Sequence, residues 1–203
     1  MGYDFSVIQH NLEVKGYNVV VCKNKEEASD YLNKHIDNQS VGFGGSMSIE
    51  AMQLYETLSL HNTVYTHARQ YENMTMDDIR RAACQSDIYI SSVNGISMNG
   101  DIVNIDNTGN RIAAIQYGPK DVYLIVGKNK IADDLHKAIY RAQNIAAPKN
   151  AQRLNRKTPC ALKGDRCYQC QSEDKICRIL SVLTDKPAGA LYTIIFVDED
   201  LGY

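Results

Sequence analysis

Val122-Tyr123-Leu124-Ile125-Val126 is an unbroken apolar run, entered from Lys120-Asp121 and left through Gly127-Lys128-Asn129-Lys130. It is too short for a helix and rich in β-branched and aromatic residues, so it reads as a strand. A strand that is apolar at every position has both faces covered, which is the mark of the centre of a parallel sheet with helices on either side. The rest of the chain alternates in the same sense. Further strands are expected at 17–22, 40–43, 63–65, 87–93 and 191–197. Helical patterns are expected at 5–14, 25–36, from Ser48 onward, at 77–84 and at 132–145. Repeated β-α units of this kind predict an α/β fold with an open, mainly parallel sheet. One stretch departs from the alternation. Asn99-Gly100 lies between the period-2 runs Ile96–Met98 and Asp101–Ile105, and Asn-Gly in that setting predicts an inserted β-hairpin. The composition shifts at Ala146-Ala147-Pro148, which marks the nearest thing to a boundary.

The 203 residues suit one domain, with 22 basic against 24 acidic side chains and a net charge of −2. A near-neutral chain lacks the basic excess of a nucleic-acid binder. No apolar run approaches the length of a membrane span. The N-terminal segment has no basic start or apolar stretch of a secretory signal, so a cytoplasmic location is expected. Met1-Gly2-Tyr3-Asp4-Phe5-Ser6 fits a myristoylation pattern that is frequent by chance, and it is read here as the lead into a helix.

Six cysteines are many for such a chain. Cys22 and Cys84 stand apart and read as core thiols. Cys160, Cys167, Cys170 and Cys177 have the spacing C-x6-C-x2-C-x6-C. Within segment 158–178 they form a donor set for one metal site, either zinc or an Fe–S cluster. The spacing matches neither a ferredoxin nor a paired zinc ribbon, so the two remain open, and a redox disulfide in Cys167–Cys170 competes with both. From Arg141 to Arg166 seven basic residues face one acid, Asp165. Such a strip favours thiolates and steers an anionic substrate or partner.

Three further places point to an anion site. Val41-Gly42-Phe43-Gly44-Gly45-Ser46-Met47-Ser48 runs from a strand into a helix. Gly42, Gly44 and Gly45 let backbone approach a ligand closely, and Ser46 and Ser48 offer hydroxyls, or else cap the helix. Asn94, Asn104 and Arg111 lie in a segment otherwise explained by turn chemistry. Lys128 and Lys130 follow the central strand, where open sheets take ligands. His67 reads as a surface or structural histidine near a cleft. No nucleophile elbow, Walker loop or paired-histidine metal motif is present.

The runs Gly42–Ser48, Ser91–Gly95, Asn99–Asn104, Gly109–Ala114, Tyr117–Lys120 and Gly127–Lys130, in that order, resemble the LUD-domain family, including its lactate utilisation protein C group. The tail Ala146–Leu154 with Thr158-Pro159-Cys160 and the three further cysteines resembles its short stand-alone branch. The likeness spans nearly the whole chain and implies a single LUD domain over 1–203. It implies a fold similar to the NagB/RpiA/CoA-transferase group, with the glycine loop in the position where those relatives hold a phosphate or substrate. It also implies a role in organic-acid, specifically lactate, utilisation, with a small anionic metabolite as ligand, iron–sulfur proteins as partners, and room for a homo-oligomer. The isomerases' acidic motif and the transferases' glutamate have no match, so catalysis does not carry over. Two alternatives stand beside this reading. One is a metal- or redox-sensing protein with a vestigial pocket, and the other is a sugar-phosphate isomerase or CoA-transferase-like enzyme.

Overall fold

The computed structural model describes residues 2–203; Met1, with which the lipidation pattern and the expected domain both begin, lies outside them. Strands β1 (Asn18–Cys22), β2 (Ser40–Phe43), β3 (Thr63–Tyr65), β4 (Ile88–Ser92), β7 (Asp121–Gly127) and β10 (Leu191–Val197) form one sheet in the order β1-β10-β7-β4-β2-β3. Every pairing in it is parallel. The apolar run Val122–Val126 lies in β7, between β10 and β4.

Its alternation explains the layers. Val122, Leu124 and Val126, with Tyr192, Ile194 and Phe196 of β10, face helix α1 (Ser6–Val14) and helix α6 (Asn110–Gln116). Ile125, with Ile195 and Val197, faces the other way. There it meets α2 (Lys25–His35) and two short helices, α3 (Met47–Ala51) and α4 (Leu54–Leu58). Successive side chains on a strand point to opposite faces, so β7 feeds both cores. Leu124 and Ile125 are fully buried.

Helix α5 (Met76–Cys84) packs beside β2, closed at its start by a reciprocal cap between Thr75 and Asp78. The contact is close. A Cβ on Gly42 would lie 2.1 Å from the Ala83 carbonyl oxygen, so this glycine serves backbone packing.

The predicted hairpin forms as β5 (Gly95–Ser97) and β6 (Ile102–Asp106), paired antiparallel. It nucleates a second sheet in the order β8-β5-β6-β9, completed by β8 (Ile131–Ala132) and β9 (Ile179–Leu183). Neither of these two was expected from sequence. β8 is two residues long, and β9 is an edge strand whose Ile179 and Leu180 stay exposed, so neither carries a burial pattern.

The expected helix 132–145 starts later and is part of a longer helical stretch. α7 (Leu135–Arg141) passes through a widened turn (Ala142–Ala146) directly into α8 (Ala147–Arg153). The composition shift at Pro148 is therefore no boundary. Pro148 is buried near the start of α8, and the widened turn before it accommodates a residue that cannot donate to the preceding turn. The cysteine segment follows as α9 (Pro159–Lys163) and irregular chain. Among the described residues no helix is long and apolar enough to cross a membrane.

Gly42→Ala is expected to destabilise the fold by about 3 kcal/mol or more, because the methyl meets backbone that cannot rotate away. The urea midpoint of the variant against the wild type measures it.

Candidate functional site

In a parallel sheet all strands end on the same edge, and ligands sit in the crevice there. Here segments following five of the six main strands meet at one cleft of about 260 Å³. Gly45–Ser48 follow β2, His67 follows β3, and Ser92, Val93 and Asn94 end β4. Lys130 follows β7, and Tyr203 follows β10. The second sheet and its helices close the other side with Asp106, Arg111, Asn150, Arg153 and Arg156.

The charges on this lining are one-sided. Arg80, Arg111, Lys130, Arg153, Arg156 and the His67 ring face one acidic side chain, Asp106. Asp106 is already held by three backbone N–H groups. Asn107 donates to its Oδ1, and Arg111 and Ile112 donate to its Oδ2. Arg156 pairs with Asp174 outside the cleft. Among the described residues none of Arg80, Arg111, Lys130 or Arg153 stands in an ion pair.

Arg111 is buried on α6, and its guanidinium donates only to neutral acceptors. Nη1 reaches the Ser92 carbonyl at 3.1 Å and Asn104 Oδ1 at 2.7 Å. Nη2 reaches Asn94 Oδ1 at 2.9 Å and the Ile105 carbonyl. The positive charge is thus fixed in place without a counter-charge.

Lys130 is 3% exposed. Its Nζ donates to Ser92 Oγ at 2.5 Å and to Ser48 Oγ at 2.9 Å. Ser48 Oγ in turn donates to the Leu201 carbonyl at 3.2 Å. Burial first, then the charges of Arg141 and Arg111, push the Lys130 ammonium down to about 7. Arg141, from α7, is itself buried and bonds the carbonyls of Asn94, Asn129 and Tyr203. Burial pushes it down to about 10. The tail passes close over this cluster because residue 202 is a glycine at φ +68°. A Cβ there would lie 2.6 Å from Ser48 Oγ.

His67 packs against Gly45, where a Cβ would come within 2.8 Å of the ring. Burial and the nearby charges of Arg80 and Arg153 hold His67 below the usual histidine range.

The residues expected from sequence divide into three groups. Gly45, Ser46, Ser48, Asn94, Arg111 and Lys130 meet on the cleft. Ser46 caps α3, its hydroxyl accepting from the backbone of Ser48 and Ile49. Gly42, Gly44, Asn104 and Lys128 are absent from the lining. Gly42 is a packing glycine, Gly44 lies against Ser91 and Arg111, and Asn104 holds Arg111 from behind. The Lys128 ammonium is occupied by Asp198, through its carbonyl and its carboxylate, each at 3.0 Å. His67, Arg80, Arg153 and Tyr203 join the cleft without a motif to announce them. The signals sequence did offer are the place of His67 just after an expected strand and that of Arg153 inside the basic strip.

The remaining candidates, Cys160, Cys167, Cys170 and Cys177, line a neighbouring cavity of about 400 Å³. It shares Ile105, Ala147 and Ile176 with the first cleft. All four are free thiols. Gln169, at φ +48°, turns the chain between the central pair, and its N–H points to Cys167 Sγ at 3.4 Å. Burial, then the proximity of the other three sulfurs, raises the Cys177 thiol. The donors are of the right kind for zinc or iron. As they stand, no three His, Cys, Asp or Glu groups among the described residues are gathered tightly enough to hold an ion.

The family model of the LUD domain matches residues 6–197. The chain belongs to the LUD-domain family. Among solved structures, a DUF162 family protein from Deinococcus radiodurans matches with a TM-score of 0.52 at 12% identity. The match covers 96% of this chain and 99% of that one. This likeness speaks to the fold alone. The eIF2B beta subunit from Chaetomium thermophilum gives a TM-score of 0.32 at 14% identity, over 66% of this chain and 44% of that one, too low to argue from. No curated protein matches the sequence.

The buried lysine predicts a pH signature. Between pH 7 and 10.5 the unfolded chain holds a proton on Lys130 that the folded chain has lost, so stability rises with pH across that window. Lys130→Met is expected to flatten this rise relative to the wild type in urea titrations run through the same range.

Proposed function

We propose that this LUD-domain protein acts in organic-acid utilisation by binding a small anionic metabolite, a carboxylate or a phosphate-bearing compound, in the cleft at the C-terminal edge of the main sheet. LUD-family membership supports a role related to lactate utilisation at the level of the family. One observation carries the ligand class. Five cationic side chains and His67 face a single, internally bonded acidic side chain, and the buried charges of Arg111 and Lys130 have no counter-ion. A buried unpaired cation is costly, and an anion entering the cleft relieves that cost. Arg80 and Arg153 stand at the lining with guanidinium groups suited to carboxylate or phosphate.

The test is a melting series with inorganic phosphate, lactate, pyruvate, a sugar phosphate and coenzyme A. At least one is expected to raise the melting temperature, less so at high salt. Arg80→Gln is expected to weaken that ligand about 10-fold, the loss of roughly 1.4 kcal/mol. If none of the five shifts melting, the anion reading falls.

A second reading is favoured by the cysteine cavity. Segment 158–178 would hold a metal, zinc or an Fe–S cluster, through Cys160, Cys167, Cys170 and Cys177. Four cysteines around one cavity, with a backbone amide turned to the sulfur of Cys167, support it. Bound zinc would be structural, whereas a cluster would supply electron transfer next to the anion cleft. Iron–sulfur partner proteins belong to the cluster version of this reading. Protein purified without oxygen is expected to carry one metal site per chain. Colour near ~400 nm indicates iron–sulfur, and colourless zinc-loaded protein indicates a structural site. Metal-free reduced protein leaves a dithiol at Cys167–Cys170 as the function of the segment.

A further inference from the structure

Lys130, Ser92 and Ser48 form a closed hydroxyl–amine cluster on the floor of the cleft. The anion reading uses only the charge of Lys130 and leaves this arrangement unexplained. Two hydroxyls within reach of one amine are a costly way to fill a floor that an apolar residue would fill more stably. They are also what a serine nucleophile with a lysine base requires.

The hydrogen bonds distinguish the two serines. The Ser48 proton has two acceptors within reach, the Leu201 carbonyl at 3.2 Å and Ser92 Oγ at 3.3 Å. Ser92 Oγ has the Val93 carbonyl only at the limit, 3.5 Å, and lies 2.5 Å from Lys130 Nζ. Ser92 also ends β4 on the edge where the cleft opens, and both Ser92 and Lys130 line it.

We propose that Ser92 is an acyl-accepting nucleophile with Lys130 as its base, and that the cleft takes an activated acyl compound, an ester or thioester carrying an anionic group. The proposal rests on the anion-binding reading for its substrate class. In the first step the Ser92 oxygen bonds to the acyl carbon while its proton moves to the lone pair of Lys130. The carbon–oxygen or carbon–sulfur bond to the leaving group then breaks, and Lys130 returns the proton to that alcohol or thiol. Water repeats the cycle on the acyl-serine, giving the free acid and restoring Ser92. Ser48 is a positioning residue that holds Nζ beside Ser92.

The base must be neutral, and its surroundings make that accessible. Lys130 is faced by Arg111 from α6, Arg141 from α7, the hydroxyls of Ser48 and Ser92, and the tail at Gly202. Across the cleft stand His67, Arg80 and Asp106. Two guanidiniums and full burial disfavour the ammonium, and no carboxylate touches it.

The probe is 4-nitrophenyl hemisuccinate, an activated ester with a carboxylate. The expected result is a burst of nitrophenolate equal to the protein present, with a succinyl group mapped to Ser92 by mass spectrometry. Its rate should rise with pH around 7 and keep that midpoint in His67→Asn. Ser92→Ala should abolish the burst. Lys130→Arg, which cannot act as a base, should slow it roughly 10²–10⁴-fold. If Lys130→Arg does not fold, Lys130→Met takes its place. Succinylation elsewhere, its persistence in Ser92→Ala, or an unslowed Lys130 variant overturns the proposal. Phosphate stabilisation without acylation of Ser92 overturns it and leaves the anion reading standing. Acylation of Ser92 without any anion effect removes the anion reading and keeps the nucleophile.

Discussion

The Arg111 guanidinium joins the two sheets of this protein. It sits on α6, takes the carbonyl that ends β4, and takes Asn104 and the Ile105 carbonyl on β6. Asn94, in the link between the sheets, completes the set and also accepts from the Ile105 N–H. All four bonds run to neutral groups, so the arginine fixes geometry without being neutralised. Charge-assisted bonds of this kind are stronger than neutral ones, and losing the donor strands several buried acceptors at once. This tie holds the far wall of the cleft together with apolar packing, since Ile96 and Ile102 of the second sheet share a core with Leu124 and Val126 of the first.

The cost of that arrangement is concentrated at the cleft floor. Arg111, Lys130 and Arg141 are buried within one region, and their bonded partners are carbonyls, amides and hydroxyls. Stability alone would favour removing or pairing these charges. Keeping them leaves the cleft electropositive, and burial with the charges of Arg141 and Arg111 holds the Lys130 ammonium well below its usual range. The tail from Leu201 to Tyr203 shields the cluster, which strengthens its fields by keeping water away.

The main sheet was legible because its signal is local. A strand covered on both faces is apolar along its covered length, and β7 is so from Val122 onward. The hairpin was legible because Asn99-Gly100 meets the backbone demand of a tight turn, with Gly100 at φ +83°. β9 was not, since an edge strand with exposed Ile179 and Leu180 has no burial to pattern it. Pro148 misled for a related reason, because its effect on a helix depends on the turn before it and the turn is set by packing. At the site, the glycine loop was found by its composition, but composition does not separate a glycine that meets a ligand from one that meets a helix. Gly45 faces the cleft and Gly42 faces the backbone of α5. Lys128 and Lys130 are two residues apart and identical in kind. One turns out to Asp198, and the other turns in to Ser92.

The sequence by itself determined the parallel α/β plan, the inserted hairpin, the family and the presence of four clustered thiols. Those follow from periodicity, turn chemistry and residue order, which act over a few neighbours. The tertiary structure alone decided which cations lie without an ion-pair partner, which serine lies nearest the Lys130 amine, and that the cysteine cavity adjoins the cationic cleft. Burial and pairing are properties of groups brought together from β2, β3, β4, β7 and the tail. No short stretch of chain contains them.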